Sequence, residues 1–170
     1  MANYKHLEIL GQGAEKWNKW RQENPEITPD FGWANMPAMD LRGYDFENAN
    51  LKLAFCKSCI FTGANLKNSN LYGANLEDTN CSNADFSGAN LEGALIKDAS
   101  LKGSKLKDCN WRLANLEGSD FEAADLSGSK KLKTDQLSKV TTLYKAKVSE
   151  RLLEKLIQTN PDLFNKSADI

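Results

Sequence analysis

The 170-residue chain holds a single histidine, four prolines, two valines and six isoleucines. Each shortage excludes something. One histidine leaves no partner imidazole for a histidine-rich metal site, and any Ser–His–Asp chemistry would have to rest on His6 alone. So few valines and isoleucines do not make a conventional β protein, whose half-buried strands select β-branched residues. No run of about 18 apolar residues exists to cross a bilayer. Met1 to Leu10 are charged and polar where a secretory leader needs an apolar core, so a cytoplasmic location is expected. Lys+Arg number 22 against 23 Asp+Glu, a formal net charge of −1. Charge so balanced excludes a nucleic-acid binder that works by bulk positive charge, and an acidic disordered tail.

The surplus lies in 22 leucines and 17 asparagines, and a period explains it. From Pro29 the chain reads in fives (PDFGW, ANMPA, MDLRG, YDFEN, ANLKL and onward to ADLSG) and closes twenty pentads at Gly128 without an insertion. The third position is always apolar, and is Leu or Phe in 15 of 20. The first is Ala, Ser, Thr or Cys in 17, and the second is Asn or Asp in 15. Neither a 3.6-residue helix nor a two-residue strand has this period. A chain that turns a corner every five residues does. One small and one large side chain then point inward per side, while Asn, Asp and the eight fifth-position glycines relieve the corners.

The sequence resembles the pentapeptide repeat family, whose tandem A(D/N)LXX motif is matched by Ala64-Asn65-Leu66 and Ala84-Asp85-Phe86. The resemblance implies an all-β fold: a right-handed, four-sided parallel β-helix of four pentads per coil, hence about five coils. The flanks Trp17-Asn18-Lys19-Trp20-Arg21 and Leu143-Tyr144-Lys145-Ala146-Lys147 resemble those of cyanobacterial members. Three regions are expected. Residues 1–28 form an N-terminal cap, 29–128 the repeat, and 129–170 a C-terminal helical cap, because a solenoid exposes its edges and core at both ends. A helix is expected over Ala14 to Glu23, stopped by Asn24-Pro25. A second is expected from an N-cap at Ser149 to about Thr159, with Leu152, Leu153, Leu156 and Ile157 on one face. That helix either caps the solenoid or also joins a second copy, so a monomer and a homodimer through a terminal helix both remain open. His6 is expected in a mobile terminus.

No catalytic, cofactor or metal site is expected. In Cys56-Lys57-Ser58-Cys59 the cysteines occupy a third and a first position, as do Cys81 and Cys109, so all four point inward as core filler suited to a reducing compartment. Gly11-Gln12-Gly13 lacks the third glycine of a nucleotide loop, Lys16 standing in its place. Residues 20 apart should stack. Lys57, Glu77, Lys97 and Glu117 then form an alternating charge ladder, Glu47 lies above Lys67, and Asp30, Asn50, Asn70, Asn90 and Asn110 form a polar ladder. Stacking also aligns the pentads that break the rule. Trp33, Leu53 and Leu113 share a fifth-position column, and Phe55 and Leu95 the second-position column around the corner. This candidate interaction stripe is either exposed for a partner or covered by the terminal helices.

The leading functional reading is a non-catalytic scaffold for protein–protein interaction, without cofactor, membrane or direct nucleic-acid contact. The alternative, implied by the resemblance to quinolone-resistance pentapeptide proteins, is mimicry of duplex DNA to occupy DNA gyrase. The repeat, with nine Lys/Arg and fourteen Asp/Glu, carries only −5, and 129–170 carries nine Lys/Arg against five Asp/Glu. An enzyme is a distant third reading, because the narrow interior offers no pocket.

Overall fold

A computed structural model describes residues 1–166. Two helices, α1 (Tyr4–Leu10) and α2 (Ala14–Glu23), precede the repeat. The short α3 (Thr134–Leu137), α4 (Glu150–Thr159) and a 3-10 turn (Pro161–Phe164) follow it. Between them the chain winds as a four-sided solenoid. Each second-position residue bridges in parallel to the residue 20 further on, from Asp30↔Asn50 to Lys105↔Asp125. On each side the third-position N–H donates to the next coil, as Leu51 N to Asn70 O at 2.8 Å, and the second-position N–H to the previous one, as Asn70 N to Ala49 O at 2.9 Å. A further bond closes most corners, as Ala54 N to Leu51 O at 3.1 Å. The expected β-helix is present as a coiled, parallel-paired solenoid with short flanking helices. Among the described residues pairing consists of isolated bridges and no extended strand, because one bridging residue per side is all the chain places before it turns.

The corners explain the composition. Every fifth position from Trp33 to Gly128 has φ between 55° and 75°, the left-handed region. Glycine enters it freely, Asn and Asp tolerate it, and a β-branched residue does not; no Val, Ile or Thr stands at any fifth position. First and third positions are buried almost throughout and form one continuous core. The second-position Asn and Asp serve twice. Asn90 Oδ1 accepts from Glu92 N at 3.2 Å to shape the corner, and also from Asn110 Nδ2 at 3.0 Å to tie neighbouring coils.

The N-terminus is not mobile, contrary to expectation. α1 packs against α2, and the pair seals the first coil. His6 is buried and accepts from Asp30 N at 2.9 Å through Nδ1. Its ring lies 5.1 Å from that of Trp20. Gly11-Gln12-Gly13 is the link between the helices, where Gly13 has φ 102°. Edge groups left unpaired by the absence of an earlier coil are met by side chains of the cap. Trp17 Nε1 donates to Asp45 O at 2.7 Å, Asn18 Oδ1 accepts from Asp45 N at 2.9 Å, and Arg21 Nη2 donates to Glu47 O at 2.9 Å. Burial, partly offset by Asp30 and reinforced by Arg21, holds the His6 pKa below its ordinary 6.5. The folded state therefore keeps His6 neutral while the unfolded chain protonates it. Stability present above pH 6.5 is lost as the pH falls through 6.5 toward the folded value. Tryptophan fluorescence should report a weakening cap in that window. His6→Asn, which retains an acceptor without titrating, should abolish the transition.

Pairing runs on past Gly128. Lys130 bridges Asn110, Thr142 bridges Asp120, and Lys147 bridges Asp125, the last two with a spacing of 22. The extra residues are taken up by α3, where Gln136 Nε2 donates to Ala114 O at 2.9 Å and so replaces the missing bridge on that side. The two units that resume, Thr141-Thr142-Leu143-Tyr144-Lys145 and Ala146-Lys147-Val148, are small–polar–apolar but displaced by two from the main phase. Downstream, α4 follows Ser149 as expected. It buries Leu156, packs Leu152 on the core and leaves Ile157 exposed.

Candidate protein-interaction face

The stacked columns bring the five residues of the candidate stripe to one edge of the solenoid and the side that follows it, while Ile60, another apolar second position, lies on a different side. Trp33 is 67% exposed, Leu113 75%, Phe55 39% and Leu95 40%; Leu53 is half-buried. The cap does not cover them. Trp17 lies instead over the end of the core, its ring 5.4 Å from Phe31 and 6.1 Å from Phe46. A helix lying across the open end seals apolar third positions, whereas fifth positions stand at the corners outside its reach. Of the two alternatives, exposure holds for Trp33, Phe55, Leu95 and Leu113. Leu53 leans along its own column instead. A methyl group added at Gly73 would meet Leu53 Cδ2, so glycine in the next coil makes room for it.

Tyr72 belongs to the same face, although as an aromatic fourth position it violates nothing in the repeat. It is exposed at the same corner, and Lys52 Nζ sits 5.3 Å from its ring centroid. The signal for it was columnar: Lys52, Tyr72, Glu92 and Arg112 are spaced by 20. Beside the stripe runs the charge ladder, paired as Lys57–Glu77 at 3.6 Å and Lys97–Glu117 at 3.5 Å. Lys57 also reaches Asp78 at 3.2 Å. The expected Glu47–Lys67 pair is not formed. Lys67 Nζ turns to Asp85 at 3.6 Å and Glu47 accepts from Asn65 Nδ2 at 3.1 Å, because inter-coil reach on this side favours the second-position carboxylate.

All four cysteines are free and buried. Cys59 Sγ donates to Met36 O at 2.8 Å and Cys109 Sγ to Phe86 O at 3.0 Å. Burial pushes the Cys81 and Cys109 thiols up to about 12, far from the thiolate that a nucleophile or metal ligand requires. Among the described residues no cluster of His, Cys, Asp and Glu is placed to hold a metal ion. Concave surface lies outside the core, in a groove of about 640 Å³ between Leu113 and α3. What the arrangement offers is a stiff prism with an apolar stripe framed by fixed ion pairs.

The comparisons agree with this geometry. The family model described as pentapeptide repeats matches in eight copies over residues 40–78, 64–95 and 94–130. No curated protein matches the sequence. Among solved structures, the chain is similar to the pentapeptide repeat protein Rfr23 from the cyanobacterium Cyanothece 51142. The identity is 27% and the TM-score 0.60, over 66% of this chain and 92% of that one. It is similar to a pentapeptide repeat protein of the Arabidopsis thaliana thylakoid lumen at 21% identity and TM-score 0.57, over 76% and 74% of the two chains. The plasmid-mediated fluoroquinolone resistance protein QnrB1 aligns at 19% identity over 76% of this chain and 88% of its own, with a TM-score of 0.32. With matches running from residue 40 to residue 130, more than half its length, the chain belongs to the pentapeptide repeat family.

Proposed function

We propose that this protein is a non-catalytic scaffold that binds another protein through the face bearing Trp33, Leu53, Phe55, Leu95 and Leu113. In this reading residues 1–28 are the N-terminal cap, 29–128 the right-handed β-helical repeat, and 129–170 the C-terminal cap. The observation that carries it is the exposure of Trp33 and Leu113 at corner positions where the fold prefers glycine. A left-handed conformation costs a non-glycine residue roughly 1–2 kcal/mol, and neither side chain recovers that by burial. A use in binding supplies the reason to keep them. The four buried free thiols fit a reducing compartment such as the cytoplasm.

Phe55→Asp and Leu95→Asp should leave the far-ultraviolet circular dichroism and the melting temperature within a few degrees of wild type, while partner association measured by affinity capture is lost. If both variants still associate, the stripe is not the binding face.

DNA mimicry is the weaker reading because many of the repeat's acidic groups are paired with its own cations. Asp85 lies 3.4 Å from Lys105, Asp125 lies 3.5 Å from Lys107, and Glu92 lies 2.8 Å from Arg112. Purified protein should accordingly leave gyrase supercoiling uninhibited.

A further inference from the structure

The cations of the repeat and those lining the groove beside α3 differ in their partners. Within the repeat, Arg42, Lys57, Lys67, Lys97, Lys102, Lys105, Lys107 and Arg112 each hold a carboxylate within 4.0 Å, and Lys52 covers Tyr72. Lys131, Lys133 and Lys139 do not: none has a carboxylate partner among the described residues. All three are exposed, and all three line the groove between Leu113 and α3. Its apolar part is Leu113, 75% exposed, with the half-buried Leu132. Of the two carboxylates in the lining, Glu117 is held by Lys97 at 3.5 Å, which leaves Asp135 as the local counter-charge. One wall is rigid. Gln136 Nε2 donates to both Trp111 O and Ala114 O at 2.9 Å, fixing α3 against the fifth coil.

A chain that pairs every cation of its repeat, yet gathers unpaired lysines around exposed leucine, presents a surface complementary to negative charge on an apolar backing. We infer that this groove docks an acidic, leucine-bearing segment of a partner polypeptide, its carboxylates on Lys131, Lys133 and Lys139 and its apolar side chains on Leu113 and Leu132. The inference rests on the scaffold reading above and names the partner's chemistry at the Leu113 end of the stripe. A groove of about 640 Å³ accommodates a few residues of such a segment.

Fluorescence anisotropy with a labelled synthetic peptide of glutamate and leucine tests it on the full chain. The peptide should bind, weaken steeply with added salt, and lose about tenfold in affinity for each of Lys131→Glu and Lys133→Glu. Lys139→Glu provides a second route should either variant melt early. A lysine–leucine peptide should not bind. Equal binding of the two peptides, indifference to the lysine reversals, or tighter binding of a single-stranded oligonucleotide through the same lysines would each overturn the assignment. Phe55→Asp lies outside the groove and should leave peptide binding unchanged. If the peptide fails while Phe55→Asp still abolishes partner association, the acidic-segment assignment falls and the scaffold reading stands. If the peptide binds as expected while neither stripe variant affects partner association, the stripe fails and the groove stands.

Discussion

Trp17→Ala should cost about 3–5 kcal/mol of unfolding free energy, the range for deleting a large buried aromatic. Trp17 is fully buried at the mouth of the solenoid, and its loss removes three things together. The indole no longer fills the space above Phe31 and Phe46, and the tilted ring contact with Trp20 at 5.1 Å disappears. The carbonyl of Asp45 also loses its 2.7 Å donor at an edge where no earlier coil can replace it. In a solenoid each coil touches only its neighbours, so the damage should begin at one end. Urea unfolding followed by hydrogen exchange should show the coil of residues 30–49 opening first, with the coils beyond Asn70 still protected. A loss below about 1 kcal/mol would mean that α1 and α2 merely decorate the end.

The second large effect comes from adding volume. Ala34, Ala54, Ala74, Ala94 and Ala114 form a single buried column of first positions, stacked along the side that bears Phe55 and Leu95. Coils repeat at roughly 4.8 Å, and a methyl group is the largest side chain those alanines carry inward. Ala74→Leu should therefore destabilise by about 3 kcal/mol, at the upper end for overpacking, because its neighbours above and below are fixed by bridges to the adjacent coils. A shallower position gives the control. Asp78→Gly removes an exposed fifth-position residue with φ 56° and should leave the melting temperature nearly unchanged, since the corner conformation suits glycine. Thermal melts of the two variants compare directly. If Ala74→Leu melts with wild type, the small first position is not a steric requirement.

Much of the fold was legible because a five-residue period admits few solutions. Leu71, Leu91 and Trp111 at third positions had to be core, and the inward cysteines followed from the same count. The 20-residue stack followed from four sides, and it placed the Lys57–Glu77 and Lys97–Glu117 pairs correctly. What the period could not reach lay at the ends. Nothing repetitive marks Tyr4–Leu10, so α1 and the burial of His6 were missed. The two-residue shift made by α3 also hid the pentads from Thr141 onward. Glu47 and Lys67 show a different limit. Stacking places two residues in one column without saying whether a side chain reaches along the column or across to Asp85.

The amino-acid sequence by itself determined the corner and the inward pair, because a left-handed residue every fifth position and alternating small and large interior side chains are local steric demands; the four-sided coil is what the family resemblance implied. Tertiary structure alone decided what lies outside that prism. It set the cap on the end of the core rather than over Trp33, leaving the stripe open. It also folded α3 against the fifth coil, which brought residues 112–117 and 131–139 together into one lysine-rimmed groove. Those outcomes depend on where helices find unpaired backbone and apolar ends to cover. Distance in space, which no period encodes, governs that choice.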